Sequence, residues 1–382
     1  MRSAATEDLT QLVEKASRFA RREIASRGDL HACPAFPLEI WRGMAEEGLM
    51  GLLLPAACGG YGGSHLSAVA VVETLAAEGG NMGIALSLAV HLLVSRLISE
   101  FSQSGPAGVS LEKLARGETT VSLAVSEPGL GAHPKHLRTT ARYADGSYIL
   151  HGEKSYLTNG PIADQFLVFA VTAVEGERKR FGAFIVPKGA EGLSISEPMD
   201  FGFLRPSPHC TIKLENCRVP EANVLGEPGT AYETMAVPFR EHEDVYLMGM
   251  ICGGFKWCLE MLLGTVRGKV EGVKRDGKLL EALGETDSLI KSLDLITHEA
   301  ASLLDHGAPS LVLQQSYSAF RSSAKHTLSI IEGIVAACAL EPHPGLAVAT
   351  NDLRRSLNIA QAIIRFKQRR IGEMLLSGKA PQ

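Results

Sequence analysis

None of the seven cysteines in this 382-residue chain belongs to a Cys-x-x-Cys pair. Their odd number and scatter (Cys33, Cys58, Cys210, Cys217, Cys252, Cys258, Cys338) exclude a disulfide framework and a structural zinc site. They read as reduced, mostly packed thiols. An excess of charge of one sign is also lacking: 38 basic and 42 acidic side chains are interspersed, with a net charge of −4. That balance gives no field suited to nucleic acid or an anionic membrane. Apolar runs such as Gly48 to Pro55 and Val245 to Gly253 fall short of a membrane span, and MRSAATEDLTQLVEK has no signal-peptide core. The expectation is a cytoplasmic protein without a membrane span. His133, His136, His151, His209 and His242 form no metal-spaced pair on one helix, and no nucleophile elbow is present. No metal site is expected. The chain is nevertheless 45% apolar, enough at this length to bury two or three cores.

From Thr6 onward, Leu9, Leu12, Val13, Ala16, Phe19 and Ala20 recur at helical spacing, with Thr6 suited to the N-cap and Glu7 and Asp8 to the first turn. Pro37 to Met50 repeats the pattern, and LLLPAACGGYGG then breaks it. Two more helices, SHLSAVAVVETLAAEGG and MGIALSLAVHLLVSRLI, are separated by Gly79-Gly80. Near Thr119 short β-branched and aromatic runs take over. Candidate strands are Val121 to Val125, Ser147 to Leu150, Phe166 to Val171, Phe181 to Val186 and Cys210 to Leu214, with a hairpin turn at Asp145-Gly146. Strands without intervening helices predict an antiparallel sandwich or barrel. From Tyr232 the period is helical again over Val245 to Leu263, Ser288 to Leu304, Leu311 to Leu340 and Asp352 to Leu376. EPHPG, Glu341 to Gly345, reads as a tight interhelical connection.

Four segments carry a family resemblance: LLLPAACGGYGG, AVSEPGLGAH, YILHGEKSYLTNG and FLRPSPHCTIKLENCRVPEANVLGEPG. In this order and spacing the sequence resembles the acyl-CoA dehydrogenase family over essentially the whole chain, most clearly from Glu39 to Gly229. The resemblance implies an α+β multidomain fold. Its parts would be an N-terminal helical domain (1–118), a middle antiparallel β-domain (119–229) and a C-terminal four-helix bundle (230–382). It also implies FAD between the β-domain and the bundle, its ADP half reaching a neighbouring subunit, in a homodimer or homotetramer.

By that resemblance Val125-Ser126-Glu127-Pro128-Gly129-Leu130-Gly131 is the loop that meets the flavin ring, with Val125, Ser126, Gly131 and Ala132 as contacts. Glycine suits such a loop because backbone must approach a flat ring closely; the alternative is a Gly-rich β-turn that binds nothing. Where the family continues Ser-Asp, this chain has Ala132-His133. Tyr156 takes the place of the usual Trp as an aromatic wall, and Thr158 that of a hydroxyl near N5. Without the family, Tyr156 reads as a cross-strand packing residue and Thr158 as a turn residue. Arg205 and Ser207 match a Leu-Arg-x-Ser segment, read here as a fold marker, in which Pro208 and His209 replace the usual polar pair.

The C-terminal part departs further. The family's Arg-x-x-Phe-Gly segment, which holds the FAD pyrophosphate, corresponds to VRGKVEGVKRDGK, where Arg267 or Lys269 could meet a phosphate or simply be solvated. Its Gln-x-x-Gly-Gly segment falls on Ile330-Ile331-Glu332-Gly333-Ile334, which adds bulk and repulsion. The Glu-Gly-Thr segment that supplies the catalytic carboxylate is absent, with Gln361 nearest. Some family members carry that Glu on the first long helix of the bundle, and Glu243 falls there, with Asp244 at a position commonly held by Arg. A solvated charged run at a helix start is the competing reading of Arg240 to Asp244.

The expected activity is 2,3-desaturation of a CoA- or carrier-bound acyl thioester in fatty acid metabolism, with hydride transfer to flavin N5 and electrons passed to an electron-transfer flavoprotein. The alternative is a degenerate homologue, or a partner subunit of a hetero-oligomer that shares a cofactor site.

Overall fold

In the computed structural model, residues 9–102, 108–269, 276–338, 344–359 and 361–377 are described. The cap expected at Thr6, with Glu7 and Asp8, lies outside them. α1 (Leu9–Phe19) buries Leu12, Ala16 and Phe19 along one stripe. α2 (Leu38–Glu46) starts after Pro37 and buries Ile40, Trp41 and Met44. The glycine-rich break after it is steric as well as conformational, because a Cβ on Gly60 would run into the Leu54 and Gly51 carbonyl oxygens. α3 (His65–Gly79), α4 (Met82–Phe101) and α5 (Leu111–Ala115) follow. α4 is 20 residues long with a mean hydropathy of 1.7 over its most apolar window, 89% of which is buried inside the protein. Core packing accounts for that composition. The 36-residue helical run Tyr232–Arg267 is also apolar enough to cross a membrane, with a 1.3 mean and 61% of its window buried.

The chain forms two compact units. One gathers Ala32–Ser64 and Leu86–Glu243; the other gathers Leu12–His31, His65–Ala85 and the described residues of 244–382. The first contains an eight-stranded sheet. Its strands are β1 (Val121–Ala124), β2 (Thr140–Ala144), β3 (Ser147–Thr158), β4 (Gln165–Glu175), β5 (Arg178–Pro187), β6 (Leu193–Ile195), β7 (His209–Pro220) and β8 (Val224–Gly229). The order is β6-β7-β3-β2-β4-β5-β8, with β1 paired to β4. Asp145 and Gly146 turn between β2 and β3 with φ of 49° and 68°, the left-handed pair a tight hairpin requires. Phe166, Val168, Phe184, Val186, Ile212 and Leu214 are fully buried in its core.

The all-antiparallel expectation needs correction. β1 and β2 both run parallel to β4, with Val121 opposite Gln165 and Thr140 opposite Val171. The other pairings are antiparallel. The chain therefore leaves one edge of β4 after Ala124 and rejoins it at Thr140, so residues 125–139 are thrown out as a loop.

The C-terminal helices are α6 (Val237–Lys269), α7 (Gly277–Asp305), α8 (Ser310–Ala337), α9 (Pro344–Ser356) and α10 (Gln361–Ser377). The Asp276 carboxylate caps α7, accepting from the Lys278 and Leu279 amides at 3.0 and 3.3 Å. The stretch Asp352 to Leu376, expected as one helix, is broken between α9 and α10. Buried Arg321 of α8 is the reason: its guanidinium donates to the Ser356 and Ile359 carbonyls, each at 3.2 Å, and to Leu357 O. Those bonds supplement the Ile359 amide on Ser356 O at 3.3 Å in satisfying the carbonyls at and after the end of α9. Residues 341–343 of the EPHPG connection and 270–275 of VRGKVEGVKRDGK lie outside the described residues.

Within the second unit, Lys256 of α6 pairs with buried Glu73 of α3 and, at 2.8 Å, with buried Asp294 of α7. His298 Nε2 lies 3.0 Å from the second Glu73 oxygen. That bond, against an opposing desolvation, holds the His298 pKa above its usual value. A raised folded-state pKa gives stability that is complete below about pH 6.5 and is lost as pH rises through the folded value. Wild type should therefore lose Tm as pH is raised from 6 to 8. His298→Gln should lose less over the same interval, measured by thermal melts in matched buffers; parallel slopes would refute the linkage.

Candidate functional site

The excursion between β1 and β2 is fastened from inside by Glu127. Its carboxylate accepts from the Arg138 and Thr139 amides at 2.7 and 2.8 Å, which closes the base of the loop. Lys154 of β3, fully buried, donates to the same carboxylate and to Val125 O, both at 3.0 Å. Burial, partly offset by Glu127, pushes Lys154 down to about 8. Desolvation alone would raise the Glu127 carboxyl, but Lys154 and the Thr139 amide outweigh it and leave it below the ordinary carboxylate range. Both groups stay charged at neutral pH. Within the loop Glu127 and Gly131 exchange backbone hydrogen bonds at 3.0 and 3.2 Å. The Tyr232 hydroxyl, from the turn that leads into α6, donates to Ala132 O at 2.7 Å. Neither Lys154 nor Tyr232 stood out in the sequence; a Lys inside an apolar-bounded strand was the available signal for the first.

The loop is also stitched to β3, because the Ser155 amide donates to Ser126 O at 2.9 Å. Ser126 is thereby held beside the residue that precedes Tyr156. The β3–β7 register shifts between Lys154 and Leu157, and a bulge there re-aims the side chain it carries. Tyr156 takes a left-handed φ of 65° and is 52% exposed. A non-glycine residue in that region costs about 1–3 kcal/mol unless its surroundings hold it. Phe201 backs the Tyr156 ring at 6.1 Å. Thr158 Oγ1 lies 3.0 Å from His209 Nε2. The surface so formed suits a flat polar group. A Cβ at Gly129 or Gly131 would meet nothing within 4 Å, so the loop is open at both, and the Tyr156 ring of β3 is exposed.

Glu243 stands on a separate element, α6. It is half-buried, and its carboxylate is 4.0 Å from Arg240 one turn earlier. Asp244 next to it is buried and bonded to Lys367 of α10 at 2.6 Å, so the reversed charge is neutralised within the chain. Gln361, at the start of α10, donates to Leu357 O at 2.8 Å. Arg267 is exposed, whereas the Lys269 side chain lies outside the described residues. Ile334, at the second glycine of the segment, is buried, and Ile330, at its Gln, is half-buried. Glu332 is ion-paired with Arg354 at 2.7 Å, which removes most of the repulsion expected of it. Among the described residues Glu73, Cys252 and Asp294 are grouped closely enough to ligate a metal, but the Lys256 ammonium already pairs with both carboxylates.

Residues 6–127 match the family model described as acyl-CoA dehydrogenase, N-terminal domain, and residues 122–217 match acyl-CoA dehydrogenase, middle domain. The mitochondrial isovaleryl-CoA dehydrogenase of Oryza sativa is 30% identical over 286 residues, covering 74% of this chain and 69% of that one. An L-prolyl-[peptidyl-carrier protein] dehydrogenase of Pseudomonas fluorescens is 36% identical over 215 residues, 56% of each. Among solved structures, the FAD complex of PigA superposes with a TM-score of 0.84 at 21% identity, covering 97% of this chain and 99% of that one.

Proposed function

Because the chain belongs to the acyl-CoA dehydrogenase family, we propose that it is an FAD-dependent oxidoreductase that desaturates the acyl group of a thioester between C2 and C3. The observation that carries this reading is the loop between β1 and β2, pinned to the end of β3 with Tyr156 and Thr158 presented beside it. FAD, when bound, supplies the two-electron acceptor at its N5 for the hydride leaving C3. The chain's part is to hold and orient the ring. Val125, Ser126, Gly131 and Ala132 offer the loop's open surface and the Ser126 hydroxyl, Tyr156 offers its face, and Thr158 offers its hydroxyl oxygen. Glu243 is assigned as the base that takes the C2 proton, since it falls where some family members carry that carboxylate and is half-buried on α6. A substrate carried on CoA or on a carrier protein is supported by the likeness to dehydrogenases of both kinds. An electron-transfer flavoprotein as acceptor and a homo-oligomeric state belong to the same reading.

The purified protein should bind FAD stoichiometrically, and Thr158→Ala, which removes the hydroxyl beside the ring, should shift the flavin absorbance spectrum. Equilibrium titration followed by flavin absorbance measures both; an unchanged spectrum in the variant would contradict the contact. A second reading, a partner subunit with an incomplete cofactor site, is favoured by Ile334 in place of the second of the family's pyrophosphate glycines. FAD bound only when a second gene product is present would select it.

A further inference from the structure

His209 and Thr158 face each other across the β3–β7 pairing. His209 Nδ1 lies 3.1 Å from the Ser207 carbonyl oxygen, which can only accept, so Nδ1 carries a hydrogen. Desolvation pushes the imidazole down to about 4 despite that bond, leaving the ring neutral and Nε2 a lone pair. The Thr158 hydroxyl, 3.0 Å from Nε2, must then be the donor between them. Only lone pairs of the Thr158 oxygen are left for a third partner. Phe201 packs edge-on against the imidazole at 5.2 Å and supports its orientation.

We propose that His209 is a positioning residue that turns the Thr158 hydroxyl into an acceptor toward bound flavin, so that the site favours the reduced over the oxidised cofactor. This rests on the functional reading above, in which Thr158 lies near N5. That nitrogen is an acceptor in oxidised flavin and carries a hydrogen in reduced flavin. An acceptor-only hydroxyl therefore satisfies the reduced ring and opposes a lone pair on the oxidised one.

The test is the midpoint potential of the FAD-loaded protein, read by equilibration with a reference dye. His209→Phe keeps an aromatic ring against Phe201 but frees the hydroxyl to donate. Its preference for reduced FAD should fall about tenfold, which is about 30 mV in a two-electron couple. The same change made in a Thr158→Val background should have no effect. Should His209→Phe fail to hold FAD, Thr158→Val should still lie below Thr158→Ser, which keeps the hydroxyl, and equal potentials would overturn the proposal. An unchanged potential in fully loaded His209→Phe overturns it alone. A wild-type protein that binds no FAD overturns the functional reading and this inference with it.

Discussion

In Glu243→Gln, reduction of bound FAD by an acyl thioester is expected to slow by about 10²–10⁴-fold, the usual worth of a positioned general base. The amide keeps the shape of the carboxylate and cannot accept the proton. Folding and FAD content should be retained, because glutamine keeps the size and shape of the side chain at this half-buried position. Stopped-flow mixing measures the reduction rate apart from substrate binding and product release. Glu241→Gln, two residues earlier on α6, should leave that rate unchanged. A variant that is still reduced at the wild-type rate eliminates Glu243 as the base, and the family's usual position offers only Gln361 in its place.

Lys154→Met is expected to cost about 3–5 kcal/mol of stability, the penalty for leaving a buried charge without its partner. Methionine retains most of the lysine stem, so packing is nearly conserved and the loss reports on charge. Glu127 would stay buried at 3% exposure, still bonded to the Arg138 and Thr139 amides but without its cation. Folded stabilities are typically about 5–15 kcal/mol, so the β-domain should melt at markedly lower urea concentration. A loss below about 1 kcal/mol, the scale of a surface pair, would contradict the structural role of the pair. Because Lys154 also holds Val125 O, FAD affinity should fall with stability.

These residues also mark where the sequence could be read and where it could not. Continuous apolar runs such as Phe166 to Val171 and Phe181 to Val186 gave away β4 and β5, since a strand buried on both faces has few other compositions. β6 and β8 were missed, and β2, mostly exposed, was implied only as the other arm of the Asp145-Gly146 hairpin. β6 has three residues, and β8 is interrupted by glycine and proline. The direction of β1 was not legible, because side chains alternate identically in parallel and antiparallel strands. Loop residues Val125 to Ala132 were found through their motif, yet what fixes the loop is tertiary. Lys154 is 27 residues from Glu127, and the Tyr232 hydroxyl 100 residues from Ala132. The break between α9 and α10 was hidden for the same reason, as Arg321 lies more than 30 residues before the carbonyls it caps. Likewise the Thr158–His209 contact exists only through the β3–β7 register, whereas the sequence presents the two residues in separate motifs.

Anaerobic titration of the FAD-loaded protein with acyl thioesters, on CoA and on a carrier protein, tests the central claim most directly. The account predicts bleaching of the flavin absorbance by at least one saturated acyl thioester, with one equivalent of 2,3-enoyl product formed per flavin reduced. Fully loaded protein that no acyl thioester of either kind reduces would contradict it.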